Sequence, residues 1–345
     1  MTRQVCVVAV VCGALGSVPL GPTPLAARSQ PSIAEAATGA WTPWGDPDLQ
    51  GVWDYWTFTP FERPDVFAGR DVLTDEEAVQ VAAQGRSAAL ARDREGPGEG
   101  STGAYGQEVW TERARATALN QSSLIVDPAD GRLPSVTAAE RRRVNAQAAA
   151  GGRPVRSRAT GLGSDGPEDR GLAERCIVGF STGPPLLPGG YNNNVQIFQA
   201  PGYVALAVEM IHDVRIIPLD GRGHLRPGIE QWLGDSRGHW EGETLVVDTT
   251  NFTDKIGSFS TTGESWGTGS NLRLTERFTR IDEDTLQYEF TVENPEVFTT
   301  SFSSAFPMQR NDLPLFEYAC HEGNYGLFNI LTGARAEERD VDETR

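Results

Sequence analysis

The chain is almost without lysine. Lys255 is the only lysine among the 345 residues, so nearly all of the 30 basic side chains are arginines. Schiff-base catalysis uses a lysine amine as its nucleophile, and Lys255 stands in a polar stretch that we predict to be a loop. A mechanism built on a lysine Schiff base is therefore not expected.

Positive charge as a whole is scarce. Lysine and arginine number 30 against 47 aspartates and glutamates, which gives a formal net charge of −17 at pH 7. Nucleic acids and anionic membrane surfaces are themselves negative and attract basic proteins. We therefore expect neither as a partner, and the expected partner is a small-molecule substrate or ligand.

The apolar run near the N terminus, Val5–Val18, is too short for a confident membrane-spanning helix, which needs about 20 residues. Arg3 supplies a positive charge before the run, and small residues follow it near Ala26 and Ala27. This order is typical of a secretory signal peptide. We predict that residues 1–28 are removed, that the mature protein is secreted or periplasmic, and that it keeps no stable membrane anchor.

Cysteine is also rare, with four in the chain. Cys6 and Cys12 lie in the predicted signal peptide, so only Cys176 and Cys320 remain after export. Two cysteines in an oxidising compartment most simply form one disulfide, and we predict the pair Cys176–Cys320. The alternative is that Cys320 acts as a thiolate nucleophile beside His321, which requires that it escape pairing with Cys176.

The mature chain divides by composition into three parts. An aromatic-rich and helical N-terminal region (29–170) precedes a β domain (171–335) and an acidic tail (336–345). The aromatic segment, Trp41–Pro64, is too dense in large rings to stay in solvent, and burial against the main core is the usual solution. We therefore expect the N-terminal region to pack on the β domain.

Two helices are predicted in the N-terminal region from capping boxes, in which a threonine is followed three residues later by a glutamate. The boxes are Thr74–Glu77 and Thr137–Glu140, and the helices that they open are predicted to end near Arg92 and Ala149. Long Gly-rich connections follow both helices.

From Tyr191 onward the pattern changes to that of β-strands, in which apolar and polar residues alternate with a period of two. The Gly-rich segment around Gly234–Gly238 is interpreted as a turn. We predict a mainly β fold, an antiparallel barrel or sandwich that forms a lipocalin-like meander, with the helical and irregular N-terminal region as an extension. The predicted strands are Val195–Gln199, Tyr203–Val208, Val214–Pro218, Thr244–Thr249, Leu272–Arg280, Leu286–Val292 and Leu315–Ala319.

Several motifs resemble those of a family of secreted bacterial proteins. They are Glu174–Cys176, Tyr191–Asn193, Glu209–Asp213 (EMIHD), Gln231–Gly242 (QWLGDSRGHWEG), Leu274–Arg280 (LTERFTR) and Glu317–Tyr325 (EYACHEGNY), with Trp44–Trp53 near the start. The resemblance covers most of the mature chain and its motifs are specific, but it brings no activity with it. The succession of strands also looks loosely like lipocalin-type barrels, which is an analogy of fold alone.

The four histidines all lie in the last third of the chain, each in a polar cluster. Histidine suits proton transfer near neutral pH and is a common metal ligand. We predict acid–base roles for His321, with Glu322 beside it, and for His212. The structural alternatives are a turn held by the disulfide and a buried histidine on the apolar face of a strand. His224 and His239 lie in Gly-rich turns and are expected to be structural.

Glu276 presents a similar choice. It alternates with Leu272, Leu274 and Phe278, so a strand places its carboxylate among apolar side chains. A buried carboxylate is either a general acid or base, or half of an ion pair. We favour the ion pair, for which Arg215 and Arg273 are the candidates.

Metal binding stays open at this stage. Zinc takes three or four His, Cys, Asp or Glu ligands, and His212, His321 and Glu322, with Glu209 or Glu276, supply them only if they converge in space. No local spacing such as His-Glu-x-x-His supports the site. No phosphate-binding loop precedes a helix, so nucleotide cofactors are not expected. The sequence thus requires no cofactor and allows zinc.

Two functions follow from these patterns. The first is a secreted enzyme, a hydrolase or lyase, that applies histidine–carboxylate acid–base chemistry to a small, rather apolar substrate. The alternative is a non-catalytic, lipocalin-like carrier of a hydrophobic small molecule. The predicted catalytic residues are His321, His212, Glu322 and Glu276, and the predicted substrate-binding residues are Trp232, Trp240, Tyr288, Arg277 and Asn324.

Overall fold

Ten β-strands and three α-helices form the regular structure of the described residues. Strand accounts for 31% and helix for 20%, which confirms the prediction of a mainly β protein. The strands are β1 (Gly51–Asp54), β2 (Ile125–Asp127), β3 (Asn194–Ala200), β4 (Tyr203–Val208), β5 (Val214–Pro218), β6 (Asp235–Glu241), β7 (Thr244–Thr250), β8 (Arg273–Arg280), β9 (Thr285–Glu293) and β10 (Phe302–Arg310). The helices are α1 (Asp75–Arg94), α2 (Ala138–Ala149) and α3 (Tyr325–Glu343).

The structure is a computed structural model. It describes residues 41–94, 118–149, 164–179, 181–189, 191–253 and 271–343, all of which belong to one structural unit, Gly39–Arg345. The predicted signal peptide with Cys6 and Cys12 lies outside the described residues, and so does Lys255. None of the helices in the described ranges is long and apolar enough to cross a membrane.

Nine strands form a nearly closed antiparallel barrel in the order β5–β4–β3–β1–β10–β9–β8–β7–β6. The predicted antiparallel barrel is therefore confirmed. The N-terminal region contributes directly to it, because β1 pairs with both β3 and β10, and β2 pairs with β10 further along the same edge. Part of the aromatic segment thus belongs to the sheet, with Trp53 fully buried on β1, whereas Trp41 and Trp44 at its start are exposed, contrary to the expected burial.

The barrel seam lies between β5 and β6, the two edges of the sheet. Gly238 on β6 lies close to the other side of the seam, because a Cβ atom built there would lie 2.9 Å from Ile217 Cγ2 and 2.6 Å from Leu219 Cδ2. Any side chain at this position would displace its neighbours across the seam. The glycine that suggested a turn in the sequence is therefore what allows a strand to run here.

The barrel interior is filled with side chains at alternating positions. On β9, for example, Leu286, Tyr288, Phe290 and Val292 are all buried, as the period of two predicts. The Tyr288 ring packs against Phe278 of β8 and Phe306 of β10, among others, with ring centroids 4.9 and 5.4 Å apart. Burial of each large apolar side chain contributes roughly 1.5–3 kcal/mol, so this interior is the main source of stability.

The two ends of the barrel differ. We define the upper rim as the end at which β3, β5, β6, β8 and β10 begin and β1, β4, β7 and β9 end, which follows from the antiparallel pairing. A segment that precedes β3, Ser181–Gly189, enters the barrel from this rim and is almost entirely buried. We refer to it as the plug.

The plug is fixed by hydrogen bonds to the barrel. The Leu186 peptide N–H donates to the Tyr288 hydroxyl (3.0 Å), and the Tyr55 hydroxyl donates to the Ser181 carbonyl (2.8 Å). Prolines suit a buried segment because they bring no peptide N–H that needs a partner, and the plug contains Pro184, Pro185 and Pro188. The chain itself therefore occupies the space that holds the ligand in a lipocalin-type barrel.

The sequence prediction of the elements needs several corrections. The predicted strand Leu315–Ala319 is wrong, since residues 311–320 run without regular structure, and α3 extends through much of the predicted acidic tail. Strands β1, β2, β6 and β10 were not predicted. In β10 the misleading residue is Pro307, which lies between the part of the strand paired with β2 and the part paired with β1.

Both predicted capping boxes open a helix. At α1 the box is complete, because the Glu77 N–H donates to Thr74 Oγ1 (3.3 Å) and the Thr74 N–H donates to Glu77 Oε2 (2.9 Å). At α2 only half of it forms. The Glu140 N–H donates to Thr137 Oγ1 (3.1 Å), whereas the Glu140 carboxylate accepts hydrogen bonds from Arg143.

Candidate functional site

His212 lies in a tight turn at the upper rim, between β4 and β5. Met210–His212 forms a 3-10 turn in which φ is 59° at Ile211 and 48° at His212. Positive φ is uncommon outside glycine, and for a β-branched residue it is a genuine outlier. Each such residue costs about 1–3 kcal/mol and persists only where surrounding contacts impose it. Ile211 is buried and anchors the turn, whereas His212 is exposed.

This turn overturns the expected placement of His212 on the apolar face of a strand, where it would be either a buried core residue or a base on the wall of the barrel cavity. The histidine does not continue the apolar face of β4, because the strand ends at Val208 and the backbone reverses. The imidazole therefore points out of the rim rather than into the core, and the buried-histidine alternative is wrong.

The hydrogen bond of the His212 ring indicates which of its nitrogens carries the proton. Nδ1 lies 3.2 Å from the carbonyl oxygen of Tyr318. A carbonyl only accepts hydrogen bonds, so Nδ1 carries the proton and donates it. In the neutral ring Nε2 is then left with a lone pair on an exposed side chain, which is the arrangement of a general base.

Tyr318 belongs to a strap, residues 311–320, which leaves the lower end of β10 and reaches the turn at the upper rim with Tyr318. The Asn311 N–H donates to the Val52 carbonyl at one end (2.8 Å), and Cys320 forms a disulfide with Cys176 at the other. In between, the Tyr318 ring stacks on Tyr191 with centroids 6.3 Å apart. The predicted disulfide is confirmed, and the thiolate alternative for Cys320 is excluded while the bond is intact.

His321 and Glu322 follow the strap immediately and are exposed. His321 follows Tyr318, whose carbonyl accepts from His212, by three residues along the chain. Exposed aromatic side chains flank them in the sequence, with Phe316 on the strap and Tyr325 and Phe328 on the first turns of α3.

Asn324, predicted to bind substrate, has structural contacts. Its Oδ1 accepts the N–H of Leu327 (3.3 Å), which makes it the N-cap of α3. Its Nδ2 donates to the Glu174 carbonyl (2.8 Å) and lies 3.4 Å from Cys176 Sγ. Asn324 therefore joins the start of the helix to the disulfide loop.

Glu276 lies inside the barrel, away from the rim histidines. Its carboxylate accepts from Arg215 at both oxygens (2.6 and 3.0 Å) and from the Tyr288 hydroxyl at Oε1 (2.8 Å). The three side chains are buried. Burial, followed by the charge of Glu276, raises the pKa of Tyr288 well above 10. Glu276 is thus half of a buried ion pair with Arg215. Tyr288, which was predicted to bind substrate, is buried and donates to this pair inside the barrel.

The other predicted substrate-binding residues are dispersed. Trp232 packs in a small cluster with Leu172 and Val178, next to the disulfide loop. Trp240 lies on the inner face of β6 towards the lower end, partly buried. Arg277 is on the outer face of β8, where it pairs with Glu241 (2.9 Å). The structure does not bring these three residues together.

His239 also lies on the outer face, with Nε2 3.2 Å from Glu241 Oε1. Hydrogen bonds from His239 and Arg277 lower the pKa of Glu241. His224 had been expected to be structural, and its Nδ1 lies 3.1 Å from the carboxylate of Asp235, which also accepts from Arg237 (2.6 Å). Asp235 was not singled out in the sequence, although it belongs to the Gln231–Gly242 motif.

Two further residues contribute to the rim: Tyr318, which was missed in the sequence, and Glu209, which was considered there only as a possible zinc ligand. Glu209 and Tyr318 each belong to a motif that also contains a candidate histidine, EMIHD and EYACHEGNY, and the structure joins these motifs through the bond between His212 and the Tyr318 carbonyl. The presence of Glu209 and Tyr318 in the same motifs as the candidate histidines was the sequence signal that could have indicated them.

Among the described residues no three His, Cys, Asp or Glu side chains form a group suited to a metal ion, so His212, His321 and Glu322 do not converge as zinc ligands.

Comparison with known proteins gives no relative. No family model matches the chain, and neither the curated proteins nor the solved structures contain a significant match.

Proposed function

We propose that the protein is a secreted acid–base enzyme, a hydrolase or lyase, whose general base is Nε2 of His212. The observation that carries the proposal is the exposed imidazole whose Nδ1–H is committed to the Tyr318 carbonyl. A fixed tautomer leaves Nε2 free to accept a proton from water or from substrate. The strained backbone at Ile211 and His212 supports it, because such strain is concentrated at functional sites.

His321 and Glu322 supply the second proton-transfer group in this proposal. Both are exposed beside the strap that anchors His212, and the disulfide at Cys320 limits the movement of the residue before them. Rigid support of this kind is what a catalytic group requires. Glu276 is left out of the mechanism because its carboxylate is already bound by Arg215 and Tyr288.

The substrate is proposed to be small and rather apolar, and to bind on the rim. The exposed rings of Phe316, Tyr325 and Phe328 provide apolar surface next to His321 in the sequence. The lumen is an unfavourable place for a ligand, since the plug and the inward side chains fill it. For the same reason we favour the enzyme over a lipocalin-like carrier.

The test is an activity screen of the purified mature protein against short aryl esters, aliphatic epoxides and substrates for β-elimination. The decisive variant is His212→Asn, because asparagine tolerates positive φ and its amide can still donate to the Tyr318 carbonyl, but it is not a base. Loss of a general base lowers turnover by about 10²–10⁴-fold. His239→Asn is the matched control, since His239 is an exposed histidine on the outer face of the barrel.

Wild-type turnover in His212→Asn would contradict the assignment of the base. Turnover that survives in His321→Ala and Glu322→Gln, but not in His212→Asn, would confine the chemistry to His212 alone.

A further inference from the structure

Glu209 is a buried carboxylate whose hydrogen-bond donors in the structure are neutral groups. It directly follows β4, with only 4% of its surface exposed. Its Oε2 accepts from Asn194 Nδ2 (2.8 Å), and its Oε1 accepts from the Phe316 N–H on the strap (3.3 Å). Its own carbonyl accepts the His212 N–H (3.2 Å). Glu209 therefore contacts both segments that the His212–Tyr318 hydrogen bond joins, the turn through its backbone and the strap through its side chain.

A chain of hydrogen bonds extends from Glu209 along the strap. Asn194 donates to Glu209, the Asn194 Oδ1 accepts from Asn311 Nδ2 (2.8 Å), and the Asn311 Oδ1 accepts from the Leu313 N–H (3.0 Å). The carboxylate at one end can only accept, and the peptide N–H at the other can only donate. The orientation of both asparagine amides is therefore determined by the two ends of the chain.

We propose that Glu209 is a positioning residue, which holds the strap so that the Tyr318 carbonyl keeps His212 in its Nδ1–H form. Its importance for turnover rests on the function proposed above, but its effect on the His212 ring does not. Through the strap, Glu209 determines which ring nitrogen is available as the base without touching the ring itself.

The chain explains why an amide cannot replace the carboxylate. In Glu209→Gln, the Phe316 N–H still requires the amide oxygen, so the amide nitrogen faces Asn194 Nδ2, donor against donor. Turning the Asn194 amide moves the clash to Asn311, and turning Asn311 moves it to the Leu313 N–H. One contact between two donors remains in every arrangement, and a buried donor without an acceptor is costly.

The same logic predicts a rescue. In the double variant Asn194→Asp, Glu209→Gln, the new carboxylate at position 194 accepts from both Asn311 and the new amide at position 209, and the oxygen of that amide accepts from Phe316. Every donor has an acceptor again. Asn194→Asp alone places two carboxylates in contact, so each single change is unfavourable and the pair restores the chain.

The experiment measures the tautomer of His212 by ¹⁵N NMR of the imidazole nitrogens, with the signals assigned by their loss in His212→Asn. We expect the Nδ1–H form in the wild type, a shift towards the Nε2–H form in Glu209→Gln, and recovery in the double variant. Turnover should fall by about tenfold or more in Glu209→Gln, as for other small misplacements of a catalytic group, and recover with the tautomer. His239 in the same spectra is the internal control, because its ring lies on the outer face.

An unchanged Nδ1–H tautomer in Glu209→Gln, or a double variant that fails to restore it, overturns the inference. If Glu209→Gln does not fold, the double variant decides, since the inference requires that it fold with the wild-type tautomer. If instead the tautomer follows the prediction while His212→Asn keeps full turnover, the proposed function fails and the positioning role of Glu209 stands.

Discussion

Arg215 and Glu276 form a bidentate ion pair inside the barrel, with Nη1–Oε2 and Nη2–Oε1 distances of 2.6 and 3.0 Å. Arg215 comes from β5, one edge of the sheet, and Glu276 from β8, which is separated from the other edge strand, β6, by β7 alone. The pair therefore joins the two sides of the seam from within. The ion pair that the sequence favoured for Glu276 is thus confirmed with Arg215 as the partner, and it connects the barrel at the seam where β5 and β6 are not paired in the sheet.

Breaking this pair should destabilise the protein strongly. Glu276→Leu or Arg215→Met leaves one buried charge without its partner, and we expect each to lower the free energy of unfolding by about 3–5 kcal/mol. The double variant should recover much of the loss, because both charges are gone. Urea unfolding measures all three. Arg273→Met, which removes a largely exposed partner of Asp248, is the control and should cost at most about 1 kcal/mol.

The Tyr288 hydroxyl links the plug to the ion pair, and its removal should weaken the hydrogen bonding of both. In Tyr288→Phe the Leu186 N–H has no acceptor and Glu276 loses a donor, which should cost about 1–3 kcal/mol in urea unfolding at neutral pH. Tyr203→Phe, at an exposed tyrosine, is the matched control. Equal stability of the two variants would contradict the role assigned to the hydroxyl.

Alkaline pH should weaken the same contact. Because burial and Glu276 raise the pKa of Tyr288 above its usual 10, the ionised form is disfavoured in the folded state. The resulting stability is fully present below the pKa of the unfolded chain, about 10, and is lost as pH rises from there towards the folded pKa. The free energy of unfolding, measured between neutral pH and about pH 11, should fall less steeply in Tyr288→Phe than in Tyr203→Phe.

The disulfide should stabilise the protein through the large loop that it closes. Cys176 and Cys320 are 144 residues apart, and the chain-entropy model gives about 4–5 kcal/mol for a loop of this size. We expect the double serine variant to lose a large part of this free energy of unfolding. Reductant should lower the stability of the wild type to that of the serine variant. If reductant also lowers the free energy of unfolding of the double serine variant, its effect on the wild type does not come from the Cys176–Cys320 disulfide alone.

Removal of the helix cap should have a smaller, local effect. Asn324→Ala deprives the Leu327 N–H of its acceptor and frees the Glu174 carbonyl, for an expected cost of about 0.5–2 kcal/mol. Asn329→Ala, at an exposed asparagine within the same helix, is the control and should be neutral or slightly stabilising because alanine favours helix. A larger loss in the control than in Asn324→Ala would argue against capping.

The strands that the sequence revealed are those with regular alternation and clear turns. Leu286–Val292 is an example, since its apolar positions all face the interior. The strands that could not be predicted depend on contacts with residues far away in the sequence. Gly238 and Pro307 both argue locally against a strand, yet the first allows the seam to close and the second lies where β10 changes partners. Such reasons exist only once the barrel is assembled.

In the candidate site, too, some features could be predicted from the local sequence and others depend on the assembled barrel. Histidine content and the neighbouring motifs indicated the candidates His212 and His321, and two cysteines after export indicated the disulfide. The sequence could not show that His212 leaves the strand in a left-handed turn, because isoleucine at positive φ runs against local preference. Nor could it choose between Arg215 and Arg273 as the partner of Glu276, since that pairing depends on how the sheet closes.

The place of β1 in the sheet determines the order in which the molecule can assemble. Its two neighbours, β3 and β10, are synthesised long after it, and contacts between distant segments form slowly because a long loop must first close. Until β10 is available, β1 has one partner strand and the sheet keeps open edges that other chains can join. A nascent chain of this topology is therefore expected to stay incompletely folded until it is released, and chaperones that cover strand edges should increase its yield.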